Sequence, residues 1–164
     1  MATKYGFGKT VDVSFSDAIE HVVLALKQEG FGILSDIDVA ATLKKKLNKD
    51  MPPYRILGAC NPPLADRAIT MEPYIGLLLP CNVVVRKGGT GLVHVEFMNT
   101  DGVVQLVDQP ELKDLPSDVG QLLEQVMASL WELQHNYFVD HEYFGKNTFA
   151  FFFLISFIFF SSSA

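Results

Sequence analysis

The run Ile75-Gly76-Leu77-Leu78-Leu79-Pro80-Cys81-Asn82-Val83-Val84-Val85 leads through Arg86-Lys87-Gly88-Gly89-Thr90-Gly91 into Leu92-Val93-His94-Val95-Glu96-Phe97-Met98. The last segment alternates strictly, with Val93, Val95 and Phe97 on one side and His94 and Glu96 on the other. That is the period-two signature of a half-buried strand. Six turn-forming residues join it to the preceding apolar run, so the two segments read as a β-hairpin. Strands joined by a tight turn are antiparallel, and this fixes the character of the sheet. Pro80 lacks an N–H for the ladder, so it marks an edge, a bulge or the beginning of a strand.

Upstream, helices alternate with strands. Tyr5, Phe7, Val11 and Val13 share one parity and predict a first strand. Ser16 and Asp17 read as a helix start, and Ile19, Val22, Val23 and Leu26 fall on one helical face. Gly30 is placed for a left-handed C-terminal cap, which predicts a helix over 16–29. Phe31 to Ile37 reads as a strand. Asp38 caps a second helix with Leu43 and Leu47 at i, i+4, and Asn48 stops it. Met51-Pro52-Pro53 is a rigid connection. Tyr54 to Cys60 reads as a strand, ended by Asn61-Pro62, a strong helix-start pair. Leu64, Ala65, Ala68 and Ile69 are expected to form that helix's buried stripe.

Downstream of the hairpin, Val103 to Val107 predicts one more short strand and Pro110 to Pro116 an acidic linker. Val119, Leu122, Leu123, Val126, Met127 and Leu130 mark the clearest amphipathic helix. The mixture predicts an α+β fold in two layers, helices packed on one face of a mainly antiparallel sheet. The expected domain spans residues 1–133, and residues 134–164 form an extension outside it.

The chain has 164 residues, about half of them apolar, enough for one core without disulfide staples. Its formal net charge is −6, which argues against a nucleic-acid partner. The one basic run, Lys44-Lys45-Lys46, reads as the solvated face of a helix. Two cysteines are too few for a secreted disulfide scaffold. Residues 1–9 lack the apolar stretch of a signal peptide, and no Asn-x-Ser/Thr site occurs. These features favour a cytoplasmic protein with reduced thiols.

The C-terminal chemistry is different. Phe149 to Phe160 contains seven phenylalanines and one polar residue, Ser156. Twelve residues rise only about 18 Å as a helix, against a bilayer core that takes roughly 20 residues. With Thr148 and the terminal serines a tight fit is conceivable, so membrane attachment through 148–160 stands as one reading. A partner-binding segment is a second, weakened by the lack of periodicity. The third is a low-complexity extension, since Phe, Ile, Leu and Ser share pyrimidine-rich codons.

Three motifs carry a resemblance. Ile56-Leu57-Gly58-Ala59-Cys60-Asn61-Pro62 with Leu64-Ala65, then Gly76 to Val85, and Gly30-Phe31 leading to Asp36-Ile37-Asp38, occur in the order and spacing of one family. Residues 4–131 resemble the family catalogued as domain of unknown function 302. The resemblance implies a compact α+β domain and a homodimer. It implies no reaction, and whether the protein is an enzyme stays open; fold does not supply function in any case.

Within these motifs, Cys60, Asn61, Pro62, Pro80, Cys81 and Asn82 are the candidate ligand-binding residues. Cys60 ends a strand just before a helix N-terminus, where backbone N–H groups and the helix dipole lower a thiol pKa. Cys81 starts another strand. If the strands are neighbours the sulfurs converge. The expected function is then a module binding a small molecule, an anion or a metal. The alternative is thiol-dependent redox chemistry in which Cys60 attacks and Cys81 resolves. Free cysteines that merely pack as small hydrophobes are the bland reading. His94 and Glu96 share a strand face and His21 lies on the first helix, yet no C-x-x-C or H-x₃₋₅-H spacing is present, so the metal and cofactor are unknown. Gly88-Gly89-Thr90-Gly91 is better explained as a hairpin turn than as a phosphate cradle. Asp36 and Asp38 are aimed alike from a strand and can do acid–base work or hold a cation, against the simpler reading of a helix cap beside a solvated acid.

Overall fold

The structure is a computed structural model that describes residues 2–104 and 110–144. Five strands form one sheet: β1 (Gly6–Val11), β2 (Gly32–Asp38), β3 (Tyr54–Cys60), β4 (Cys81–Lys87) and β5 (Val93–Met98). Their order is β1-β5-β4-β3-β2, every neighbouring pair antiparallel. The helices are α1 (Phe15–Gln28), α2 (Val39–Leu47), α3 (Pro62–Met71), the short α4 (Asp101–Val104) and α5 (Leu115–Phe144). The expected α+β class holds.

The consecutive strands β1 and β2 occupy opposite edges, so α1 must cross the sheet between them. It packs against β4, β5 and β2. Its buried stripe, Ala18, Val22, Ala25 and Leu26, lies at helical spacing. The sheet meets it with one row of side chains: Phe7, Phe97, Val83 and Leu57 are register partners across four strands. The Phe7 and Phe97 rings stack at 5.8 Å between centroids. Each fully buried aliphatic or aromatic side chain here stabilises the fold by about 1.5–3 kcal/mol. This is the main core.

Several boundaries move from their sequence expectations. The cap of α1 is Ser14, whose hydroxyl accepts from the Asp17 N–H at 3.1 Å; Ser16 instead hydrogen-bonds Ser14. Both serines satisfy the composition rule, and backbone geometry chooses between them. The run from Ile75 is not one interrupted strand. Pro73–Leu78 is a 3-10 turn, and β4 begins at Cys81 after the cis Leu79–Pro80 bond. Because β4 is central in the sheet, Pro80 marks a beginning and not an edge. The strand expected at 103–107 is replaced at its start by α4, and residues 105–109 lie outside the described residues. Pro110 to Pro116 is more than a linker: Pro110–Leu112 is a 3-10 turn and α5 already starts at Leu115.

Contacts divide the chain into two units, Met1–Leu130 and Trp131–Ala164. Among the described residues no helix is long and apolar enough to cross a membrane. The phenylalanine-rich stretch 148–160 lies outside the described residues.

Candidate functional site: a crevice at the end of the sheet

Three local devices meet where β3 ends and β4 begins. The first is the end of α1. Gly30 adopts φ +78°, the left-handed conformation that only glycine takes freely. Its N–H and that of Phe31 then close back onto Lys27 and Leu26 carbonyls at 3.1 and 2.9 Å. This reversal drives Phe31 inward, where it is buried. The second device is Asn61. Its side-chain oxygen caps α3 by accepting from the Leu64 N–H at 3.4 Å, and its amide donates to the Glu29 carbonyl at 3.4 Å. One residue thus starts α3 and ties it to the end of α1. The third is Gly58. A side chain there would strike Pro80 Cγ at 2.6 Å, so the bare backbone lets the Pro80 ring lie against β3.

Together these leave a crevice of about 60 Å³. Its wall includes Phe31, Cys60, Asn61, Leu64, Leu78 and Cys81, and it is closed on the far side by Thr100, Leu115 and Val119. Ala68, Ile75 and Leu115, which also line it, continue with Leu112 into a satellite core. Thr100, 4% exposed, comes so near α5 that a side chain at Gly120 would meet its hydroxyl at 2.6 Å. Glycine inside a helix costs about 1 kcal/mol relative to alanine. Here it admits the threonine.

The structure brings together three of the six candidate residues. Cys60, Asn61 and Cys81 line the crevice. Cys81 is directly opposite Ala59 in the ladder, which sets it beside Cys60. Pro62, the first residue of α3, is exposed and outside the lining. Pro80 packs on β3 instead. Asn82 points to the opposite face of the sheet, as alternation from Cys81 requires.

The thiols do not behave as the helix start suggested. Burial pushes the Cys81 thiol, together with the neighbouring Cys60, up to about 11. Burial also raises Cys60. The first turn of α3 already gives its Leu64 N–H to Asn61, and the surroundings are apolar, so desolvation of the thiolate wins. Both cysteines are therefore neutral thiols near pH 7. Neither is disulfide-bonded.

The remaining acid and histidine candidates lie elsewhere. Asp36 and Asp38 do point the same way, and Arg55 on β3 takes both. Its guanidinium donates to Asp36 at 2.7 and 2.5 Å and to Asp38 at 3.3 Å. Asp38 also caps α2 through the Ala41 N–H at 2.8 Å. The Arg55 hydrogen bonds hold the Asp36 carboxyl below the usual range, so the pair is an ion-pair clamp on the edge strand. His94 Nδ1 lies 2.9 Å from Thr10 Oγ1, and Glu96 pairs with Arg86. No group of three His, Cys, Asp or Glu suited to a metal occurs among the described residues.

Residues 7–130 match the model of the family described as Domain of unknown function DUF302. The chain belongs to that family. The crystal structure of an uncharacterized conserved DUF302 protein from Bacillus stearothermophilus is similar, with a TM-score of 0.70 and 28% identity. The similarity covers 77% of this chain and 98% of that one. Comparison with curated proteins gives no match. The DUF302 motifs quoted from the sequence now have positions: Gly30-Phe31, Cys60-Asn61 and Cys81 all converge on the crevice.

Sequence reasoning passed over Phe31, Leu78, Thr100, Leu115 and Val119 as site residues. Each has the composition of ordinary core, and only the packing of α3 and α5 around the sheet end assembles them.

Proposed function

We propose that this DUF302 domain is a small-molecule binding module, and that the crevice receives the apolar end of its ligand. The observation that carries this reading is the convergence of two neutral thiols in a wall that is otherwise almost wholly apolar. An apolar crevice of this kind gains from any apolar group that fills it and leaves water to do so. Its volume suits a branched alkyl tip or the edge of a ring, since a cavity of about 150 Å³ is what admits a whole benzene. Uncharged thiols serve there as polarizable contacts. An anion gains little from this site: the thiols carry no charge, and Asn61 already occupies the helix start. Redox exchange is the weaker reading, because raised thiol pKa values leave little thiolate to attack.

A methyl-NMR titration with a short alkanol such as hexanol tests the proposal. Saturable shifts at the Leu64, Leu78 and Leu115 methyls are expected, with slower alkylation of Cys60 by iodoacetamide. Ala65→Leu, which fills the crevice from its wall, abolishes both effects. Unshifted methyls, or alkylation of Cys60 with an apparent pKa below the ordinary thiol value, would sink the reading.

A further inference from the structure

The sheet's other face carries a second concavity that the crevice does not use. It has a volume of about 440 Å³ and is lined by Tyr5, Gly6, Gly8, Tyr54, Asn82 and Glu96, with Val84 and Met98 in its floor. That volume falls in the range of small-molecule sites. From Tyr54 on β3 to Gly8 on β1 it crosses four strands, about 14 Å at ordinary strand spacing.

The floor is flat for a reason legible in the backbone. A side chain at Gly6 would collide with the Phe97 carbonyl oxygen, and one at Gly8 with the Val95 carbonyl oxygen. Glycine is therefore required at both positions, and β1 contributes bare peptide to this face. Two aromatic rings flank that surface. Tyr5 is 75% exposed, and Tyr54 is half-buried. The charged groups of the face are balanced among themselves. Arg86 grips both Glu96 oxygens at 2.8 and 2.9 Å. Asn82, by contrast, is exposed, and its amide presents a donor and an acceptor side by side.

We propose that this groove is a second binding site, for a planar nitrogen heterocycle of nucleobase type held by stacking on tyrosine and by paired hydrogen bonds to Asn82. A flat glycine floor beside the exposed Tyr5 ring and the half-buried Tyr54 ring favours a π-face, and stacking on an aromatic side chain stabilises a base by about 1–3 kcal/mol. An asparagine amide matches a ring edge that carries an adjacent donor and acceptor. The lining's one carboxylate is paired to Arg86, and the Lys4 ammonium lies over one face of the Tyr5 ring, 4.8 Å from its centroid, which leaves the other face and Tyr54 for stacking by an uncharged ring. This site is independent of the crevice reading.

The test uses the full chain with adenosine and uridine, both unphosphorylated, as probes in an NMR titration. Saturable shifts are expected at Tyr5, Tyr54, Asn82 and Val84 for at least one probe. Asn82→Ala weakens binding about tenfold, as for loss of a bidentate pair. Val84→Arg, which fills the groove from a half-buried position, removes binding. Absence of saturation with both nucleosides overturns the proposal. So do shifts at the Leu64 and Leu78 methyls instead, which would put the probe in the crevice. Equilibrium sedimentation run alongside supplies one more outcome: a dimer that Val84→Arg converts to monomer shows the groove to be a subunit interface and overturns it too.

Discussion

The two faces of the sheet are built from the same strands and do opposite work. On the covered face, Leu57, Val83, Val85, Val95 and Phe97 are fully buried beneath helices. On the other, one residue along in each strand, Ile56, Val84, Arg86, His94 and Glu96 are only half-buried. Alternation makes this inevitable, because neighbouring side chains of a strand point to opposite sides. What differs is the currency of stability. The covered face relies on excluded water and close packing, whereas the open face relies on pairing, as in Arg86–Glu96 and Thr10–His94. The crevice lies at the end of the sheet, where packing is incomplete and two polarizable sulfurs face apolar walls.

Truncating one residue on each face separates the two most strongly. Phe97→Ala is expected to cost about 3–5 kcal/mol, the range for a large buried aromatic. Val84→Ala is expected to cost under about 1.5 kcal/mol, since the half-buried side chain leaves no closed cavity. Urea unfolding measures both. Equal costs would mean that something covers the open face in solution.

The next effect sharpens the account of the crevice. An unfolded Cys81 ionises near the ordinary value of about 8.5, whereas the folded thiol keeps its proton to about 11. The folded state binds more protons over that window, so stability falls as pH rises through it. Below about pH 8 the contribution is fully present. Denaturation midpoints measured from pH 8 to 10.5 should decline less steeply in Cys81→Ala than in the native chain. Parallel slopes would show that the thiol is not held neutral by burial.

The smallest effect is expected from the exposed and half-exposed ion pairs. Arg86 hydrogen bonds hold the Glu96 carboxyl below its usual range, as Arg55 does for Asp36. A depressed folded pKa gives stability that is present above the unfolded value of about 4.3 and lost as pH falls through the folded one. Glu96→Gln should cost no more than about 1 kcal/mol at neutral pH, as such partly solvated pairs do. Its stability should fall less steeply than the native chain's as pH drops below about 4.3, the two converging once Glu96 is protonated. A loss of several kcal/mol would show that the open face depends on that pair as the covered face depends on Phe97.

The sequence alone was enough for several features set by near neighbours in the chain, though not for the α1 cap, which it placed at Ser16, or for the start of the strand expected at 103–107. The β4–β5 hairpin, the Asp38 and Asn61 caps, the Gly30 reversal and the amphipathic stretch from Val119 to Leu130 follow from periodicity and from the backbone preferences of Gly, Asn and Pro. Such signals are local, and tertiary contacts do not reverse them here. Even the coming together of Cys60 and Cys81 was within reach, because an antiparallel neighbour relation between their strands suffices to produce it.

Tertiary structure decided what those residues are for. Nothing in the spacing says that β1 pairs with β5, that Gly6 and Gly8 sit against its carbonyls, or that Leu115 and Val119 close the crevice. Above all it reversed the chemistry of the thiols. A helix start by itself favours thiolate, but the free energy of a charge depends on everything around it. Packing of α3 and α5 around the sheet end withdrew water from Cys81 and, in part, from Cys60.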